Sequence, residues 1–109
     1  MKKFCLALDL VDDEKLIAEY EKYHQNIWPE IKQSILDSGI SNMEIYLVQN
    51  RLMMIIEADE NFSFEAKNEV DRSNPKIQEW EELMWKFQQQ LPNSKPGEKW
   101  KLMDKIFSL

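Results

Sequence analysis

The chain has 109 residues, 43% of them hydrophobic and 31% charged, a balance that suits one folded domain over residues 1–109 and excludes a disordered polymer. A net charge of −6 with no offsetting Lys/Arg stripe argues against nucleic acid and against an anionic membrane as partners. The lone Cys5 precludes an internal disulfide and fits a reducing cytoplasm, and one His with one Cys makes no structural zinc set, so chemistry without metal or cofactor is expected.

Phe4 to Val11 alternates Phe4, Leu6, Leu8 and Leu10 on one face with Cys5, Ala7 and Asp9 on the other, which reads as a first strand. Asp9, Asp12, Asp13 and Glu14 end the apolar stretch too early for a secretion signal. Asp12 or Asp13 caps a helix whose stripe is Leu16, Tyr20, Tyr23 and Ile27. Pro29 opens a second helix with Ile31, Ile35 and Leu36 as its buried face, and Gly39 ends it.

Met43 to Val48 and Arg51 to Ala58 form a hairpin around Gln49-Asn50. In that register Leu47 faces Leu52, Ile45 faces Met54 and Met43 faces Ile56, so one side is uniformly apolar. The other side carries Glu44, Tyr46, Met53, Ile55 and Glu57, a mixture suited to a ligand cavity or a subunit interface. A short helix is expected over Phe62 to Val70, capped by Asn61 or Ser63. Asn74-Pro75 starts a longer one reaching Gln90, with the stripe Ile77, Trp80, Leu83, Met84, Phe87 and Leu91. Pro92, Pro96 and Gly97 mark a loop, and Trp100 to Phe107 has the chemistry of a closing strand.

This order predicts an α+β fold of ferredoxin-like type, with helices on one face of a four-stranded antiparallel sheet. The open face then invites a second copy, and a chain this short, which buries only about two-thirds of its surface alone, gains from a shared core. A homodimer is expected.

With only Gly39 and Gly97 available, no phosphate-binding glycine loop, dinucleotide fingerprint or nucleophile elbow can be built. The segment richest in chemistry is Tyr20-Glu-Lys-Tyr-His24-Gln-Asn-Ile-Trp28-Pro29-Glu30. Tyr20 and His24 share a helix face, Trp28 continues the line, and His24 is the one side chain able to accept and donate a proton near neutral pH. From the residues alone, such a histidine is more often a satisfied flank than a proton carrier. Trp28 before Pro29 is more often a packing anchor, and Trp80 belongs to an apolar stripe. Trp85, off that stripe, reads as an interface or a ligand contact, while Tyr46 and Glu44 line a pocket or cover a solvated strand in equal measure. Glu79, Glu81 and Glu82 read as a solvated helix face.

The pattern formed by Tyr20, His24, Trp28, Pro29 and Glu30 resembles the L-rhamnose mutarotase family, and Ile45-Tyr46-Leu47, Gln78-Glu79-Trp80 and Ile106-Phe107 extend the likeness over nearly the whole chain. The resemblance implies a dimeric α+β barrel that exchanges the anomers of a 6-deoxyhexose such as L-rhamnose or L-fucose. His24 would carry the proton, Tyr20 would contact the monosaccharide and Trp80 would reach the pocket. Two positions depart from the pattern: Met43 stands where the family has a tyrosine, and Glu81 where it has the second of paired tryptophans. Tyr46, Trp85 or Glu44 would have to supply the missing contacts. A haem-binding or monooxygenase barrel and a non-catalytic interaction module are the competing functions, the former disfavoured by the acidic charge.

Overall fold

The computed structural model describes all 109 residues. Strand β1 (Lys2–Leu10) leads into helices α1 (Glu14–Gln25) and α2 (Pro29–Asp37), and strands β2 (Ile40–Val48) and β3 (Arg51–Ala58) follow. Helices α3 (Phe64–Arg72) and α4 (Pro75–Trp85) precede two short strands, β4 (Gln88–Gln89) and β5 (Lys101–Leu102). The caps follow local chemistry. Asp13 accepts hydrogen bonds from the Lys15 and Leu16 amides, Ser63 from Ala66, and Asn74 from Lys76 and Ile77. Pro29 and Pro75 occupy first helical turns, where a missing N–H costs nothing. Gly39 turns the chain out of α2 at φ +98°, and a Cβ there would lie 2.6 Å from Asp59 Oδ2, so no other residue fits without displacement.

The sheet runs β2-β3-β1-β4, with every pairing antiparallel, and β5 shares with β4 the edge of β1 that β3 leaves free. Two β-α-β halves on such a sheet make the expected ferredoxin-like α+β fold. The hairpin register places Met43 opposite Ile56, Ile45 opposite Met54 and Leu47 opposite Leu52, as the alternation requires. All helices cover this apolar face. One core cluster joins Leu10 and Leu52 to Tyr20, Ile31, Ile77, Trp80, Met84 and Phe87; a second joins Leu6, Ile40, Ile56 and Ala58 to Phe62. None of Cys5, Ala7, Tyr46, Met53 or Ile55, on the other face, packs into either cluster. No helix is long and apolar enough to cross a membrane.

Several details differ from expectation. Helix α4 stops at Trp85 rather than Gln90, because the Lys86 and Phe87 amides bond three residues back, to Leu83 and Met84, and tighten the turn. The Phe87 carbonyl then accepts from the Val11 amide at 2.8 Å, which delivers Gln88 and Gln89 to the end of β1. Phe87 is buried either way, so the apolar stripe could not reveal the break. The closing strand is confined to Lys101–Leu102, since the Met103 amide makes the last bond to β1 and Ile106 and Phe107 stand 94% and 65% exposed beyond it. Phe62 is a core residue ahead of α3 rather than part of it, and Leu36, one position round the helix from Ile35, is exposed.

Candidate active site

His24 sits in the last turn of α1, one turn beyond Tyr20. Their rings lie 4.3 Å apart, centroid to centroid. The His24 Nδ1 is 2.8 Å from the Tyr20 carbonyl oxygen. A carbonyl can only accept, so Nδ1 carries the proton and the neutral ring keeps its lone pair on Nε2. Burial pushes the His24 pKa below its ordinary value near 6.5, partly opposed by that carbonyl bond, so the imidazole is neutral at physiological pH and Nε2 is available as a base. Burial pushes the Tyr20 phenol up, tempered by a bond from Gln88, so Tyr20 keeps its proton.

Both side chains line a cavity of about 710 Å³ between the covered face of the sheet and the helices. Its floor is apolar, with Leu6, Ile45, Met54 and Ile56 contributed by three adjacent strands. Trp80 rises from α4 with its ring 5.7 Å from His24 at a steep 65°. Gln88 reaches in from β4 and its Nε2 donates to the Tyr20 hydroxyl at 3.4 Å. Glu81, Lys99 and Trp100 line the side nearest the loop ahead of β5, and the Lys67–Asp71 ion pair, 2.7 Å between its charged atoms, lines the cavity from α3. A flat ring, an apolar floor and scattered hydrogen-bonding groups are what a sugar's C–H faces and hydroxyls require. A second groove of similar size runs between α2 and α3, but it is polar and holds neither a histidine nor an aromatic ring.

Of the candidate residues, the cavity gathers His24, Tyr20 and Trp80. Trp28 stands behind them, its ring edge-on to Trp80 at 5.0 Å and capped by Lys76 Nζ at 4.8 Å, so it buttresses Trp80 without lining the space. Glu44 and Tyr46 lie on the open face of the sheet and bond to each other at 3.3 Å. Trp85 is 37% exposed, with Lys99 Nζ 5.1 Å from its ring, and does not line the cavity. Gln88 and Lys99 had no signal in the sequence, because one lay in an expected helix end and the other in a loop. The i, i+4 spacing of Lys67 and Asp71 was visible, but nothing marked the pair as inward-facing.

The model of the family described as L-rhamnose mutarotase matches residues 3–109. The chain belongs to the L-rhamnose mutarotase family. It is accordingly an isomerase of mutarotase type. An L-fucose mutarotase of Xanthomonas campestris pv. campestris is 44% identical over 111 residues, covering 100% of this chain and 89% of that protein. An L-rhamnose mutarotase of Phocaeicola vulgatus is 31% identical over 78 residues, covering 72% and 73% of the two chains. Among solved structures, the L-rhamnose mutarotase of Formosa agariphila superposes with a TM-score of 0.73 at 20% identity, over 100% of this chain and 99% of that one, which shows a shared fold. A dimeric ferredoxin-like protein from an uncultured marine organism reaches 0.55 at 16% identity, over 98% and 90%. Met43 and Glu81, the two positions expected from the resemblance to depart from the family pattern, both line the cavity.

Proposed function

We propose that this chain, acting as one domain in the cytoplasm, interconverts the α and β anomers of a 6-deoxy-L-hexose, L-fucose ahead of L-rhamnose, with His24 as the proton carrier. The observation that carries the reading is the His24 ring itself: Nδ1 is tied to the Tyr20 carbonyl and Nε2 is free, on the wall of a cavity that also holds Trp80.

Anomer exchange opens the hemiacetal and closes it on the other face of the aldehyde. Nε2 takes the proton of the anomeric hydroxyl while the bond between C1 and the ring oxygen breaks, its electron pair going to that oxygen. The ring oxygen then takes the proton from the imidazolium. Rotation about C1–C2 and the reverse steps give the other anomer. Both oxygens are bonded to one carbon, so a single nitrogen can serve both, and no proton is gained or lost overall. General acid–base assistance of this kind contributes about a hundredfold to ten-thousandfold, ample for a reaction that proceeds unaided in water. The preference for L-fucose rests on the 44% identical relative and on Met43 and Glu81, which give the cavity walls a chemistry unlike the tyrosine and tryptophan of the rhamnose pattern.

The working unit is a homodimer in this reading. The open face exposes Tyr46 and Val48 and has Met53 and Ile55 beside them, and the segment after β5 exposes Met103, Ile106, Phe107 and Leu109. That much unburied apolar surface on so small a protein suits a second copy.

Saturation-transfer NMR on L-fucose and L-rhamnose, with wild type and His24→Ala, tests the reading. The wild type should accelerate exchange on at least one sugar and the variant on neither. Wild-type rates equal to buffer on both would remove the function, and equal rates in the two proteins would remove His24 from it.

A further inference from the structure

Gln88 is the one side chain that hydrogen-bonds the Tyr20 hydroxyl, across 68 positions of sequence, and it does so inside the cavity. Tyr20 is 4% exposed, so its hydroxyl has little access to bulk water. A phenol has one proton to give and lone pairs to share. The amide Nε2 of Gln88 occupies a lone pair, and no protein group accepts the phenol proton in return. The hydroxyl belongs to a residue that lines the cavity, and the His24 ring lies 4.3 Å from the same aromatic ring, so the cavity offers that proton an acceptor when sugar is bound. Gln88 is itself held by backbone: it pairs with Leu10 in the sheet, and the Phe87 carbonyl just before it accepts from Val11. The early end of α4 is therefore what brings this amide to Tyr20.

We propose that Gln88 is a positioning residue, which by donating to the Tyr20 oxygen turns the phenol proton into the cavity as a hydrogen-bond donor to the hemiacetal. This rests on the anomer-exchange reading above. When the anomeric proton goes to His24 Nε2 and the ring bond breaks, negative charge develops on the departing oxygen. A donor already aimed there, and strengthened because its own oxygen accepts a bond, stabilises that charge more than the ground state. No proton is transferred from Tyr20, whose raised pKa keeps it neutral; it only donates a hydrogen bond.

A double-mutant cycle with Gln88→Met and Tyr20→Phe tests this. Methionine keeps the length of the side chain and removes the donor. Exchange rates by saturation transfer at several sugar concentrations should fall about fivefold to tenfold for Gln88→Met, in kcat with KM nearly constant. In the Tyr20→Phe background the same change should have almost no further effect. The NMR signal of the Tyr20 carbon that bears the hydroxyl should move in Gln88→Met without sugar present, a readout independent of catalysis. Gln88→Asn, too short to reach, should behave as Gln88→Met, and Gln88→Glu, which at neutral pH can only accept, should capture the phenol proton and be slower still. Equal slowing in both backgrounds, an unmoved Tyr20 signal, or wild-type rates for Gln88→Met would each overturn the role of Gln88. Wild-type protein that fails on both sugars overturns the mutarotase reading instead, and the free-protein Tyr20 signal still reports on the bond.

Discussion

Strand β3 presents two faces that share methionine and isoleucine and do different things. Leu52, Met54 and Ile56 point to one side, Met53, Ile55 and Glu57 to the other. On the first side helices close over the sheet and leave the cavity with His24, Tyr20 and Trp80. The second side has no helix above it; its polar groups satisfy one another, with Arg51 Nε and Nη2 bonding Asp9 at 2.7 and 3.1 Å and Tyr46 bonding Glu44. Both faces contain methionine and isoleucine, but only the open one mixes them with charged and polar groups, and only the uniformly apolar one carries a helical layer. The proposed chemistry belongs where α1 and α4 overhang the sheet, and the proposed association belongs to the open face.

The sharpest way to break this contrast is at His24. His24→Ala should slow anomer exchange by about a hundredfold to ten-thousandfold while the melting temperature stays within a few degrees. The same ring sets the pH response. Because burial holds its pKa below 6.5, the neutral, active form prevails above that value, and exchange should fall as pH drops through a midpoint under 6.5. The unfolded chain binds this proton more readily than the folded one, so stability should also decline as pH falls from 6.5 towards the folded pKa, and less so in His24→Ala. A rate midpoint at or above 6.5 would contradict the buried placement.

Next in size is a pair of neighbours on opposite faces. Met54→Lys directs a charge into the apolar floor and should cost about 2–4 kcal/mol, read as a fall of about 10 °C or more in melting temperature. Met53→Lys, one residue away, should cost about 1 kcal/mol or less within a protomer and show its effect as dissociation of the proposed dimer in light scattering. Similar melting losses for both would mean that the faces are not distinct.

The sheet, its register and most caps could be read from the sequence because they depend on local chemistry: alternation in Met43–Val48 and Arg51–Ala58, and oxygen-bearing side chains ahead of α1, α3 and α4. Tyr20 and His24 could be paired because four residues are one helical turn. Assigning the cavity to a face was harder. The mixed side of the hairpin looked more like a ligand surface than the uniformly apolar side, yet the cavity is floored by the latter. Its polar groups come from α1, α3, α4, β4 and the loop before β5, elements whose convergence is tertiary. The end of α4 was illegible for a similar reason: Phe87 fits an apolar helical stripe and a β-strand approach equally, and only the bond from Val11 decides.

Specificity offers a smaller effect. Glu81 lines the cavity at the position where the sequence resemblance implies a tryptophan, so Glu81→Trp should shift the ratio of L-rhamnose to L-fucose rates towards L-rhamnose by about tenfold, with the fold retained. Competition NMR with both sugars in one tube measures that ratio directly. An unchanged ratio would mean that Glu81 faces the space without reading the sugar.

The smallest expected effects belong to Tyr46 and Glu44. They bond to each other on the open face, Tyr46 is 52% exposed, and neither lines the cavity. Tyr46→Phe removes the bond and keeps the ring, so exchange should change by less than about twofold and stability by under about 1 kcal/mol, as for other exposed hydrogen bonds. A large loss of kcat in Tyr46→Phe would carry a specific meaning. Since its own protomer keeps this hydroxyl on the far side of the sheet from His24, the loss would have to arise through the partner copy, by the open face contributing to a site across the dimer.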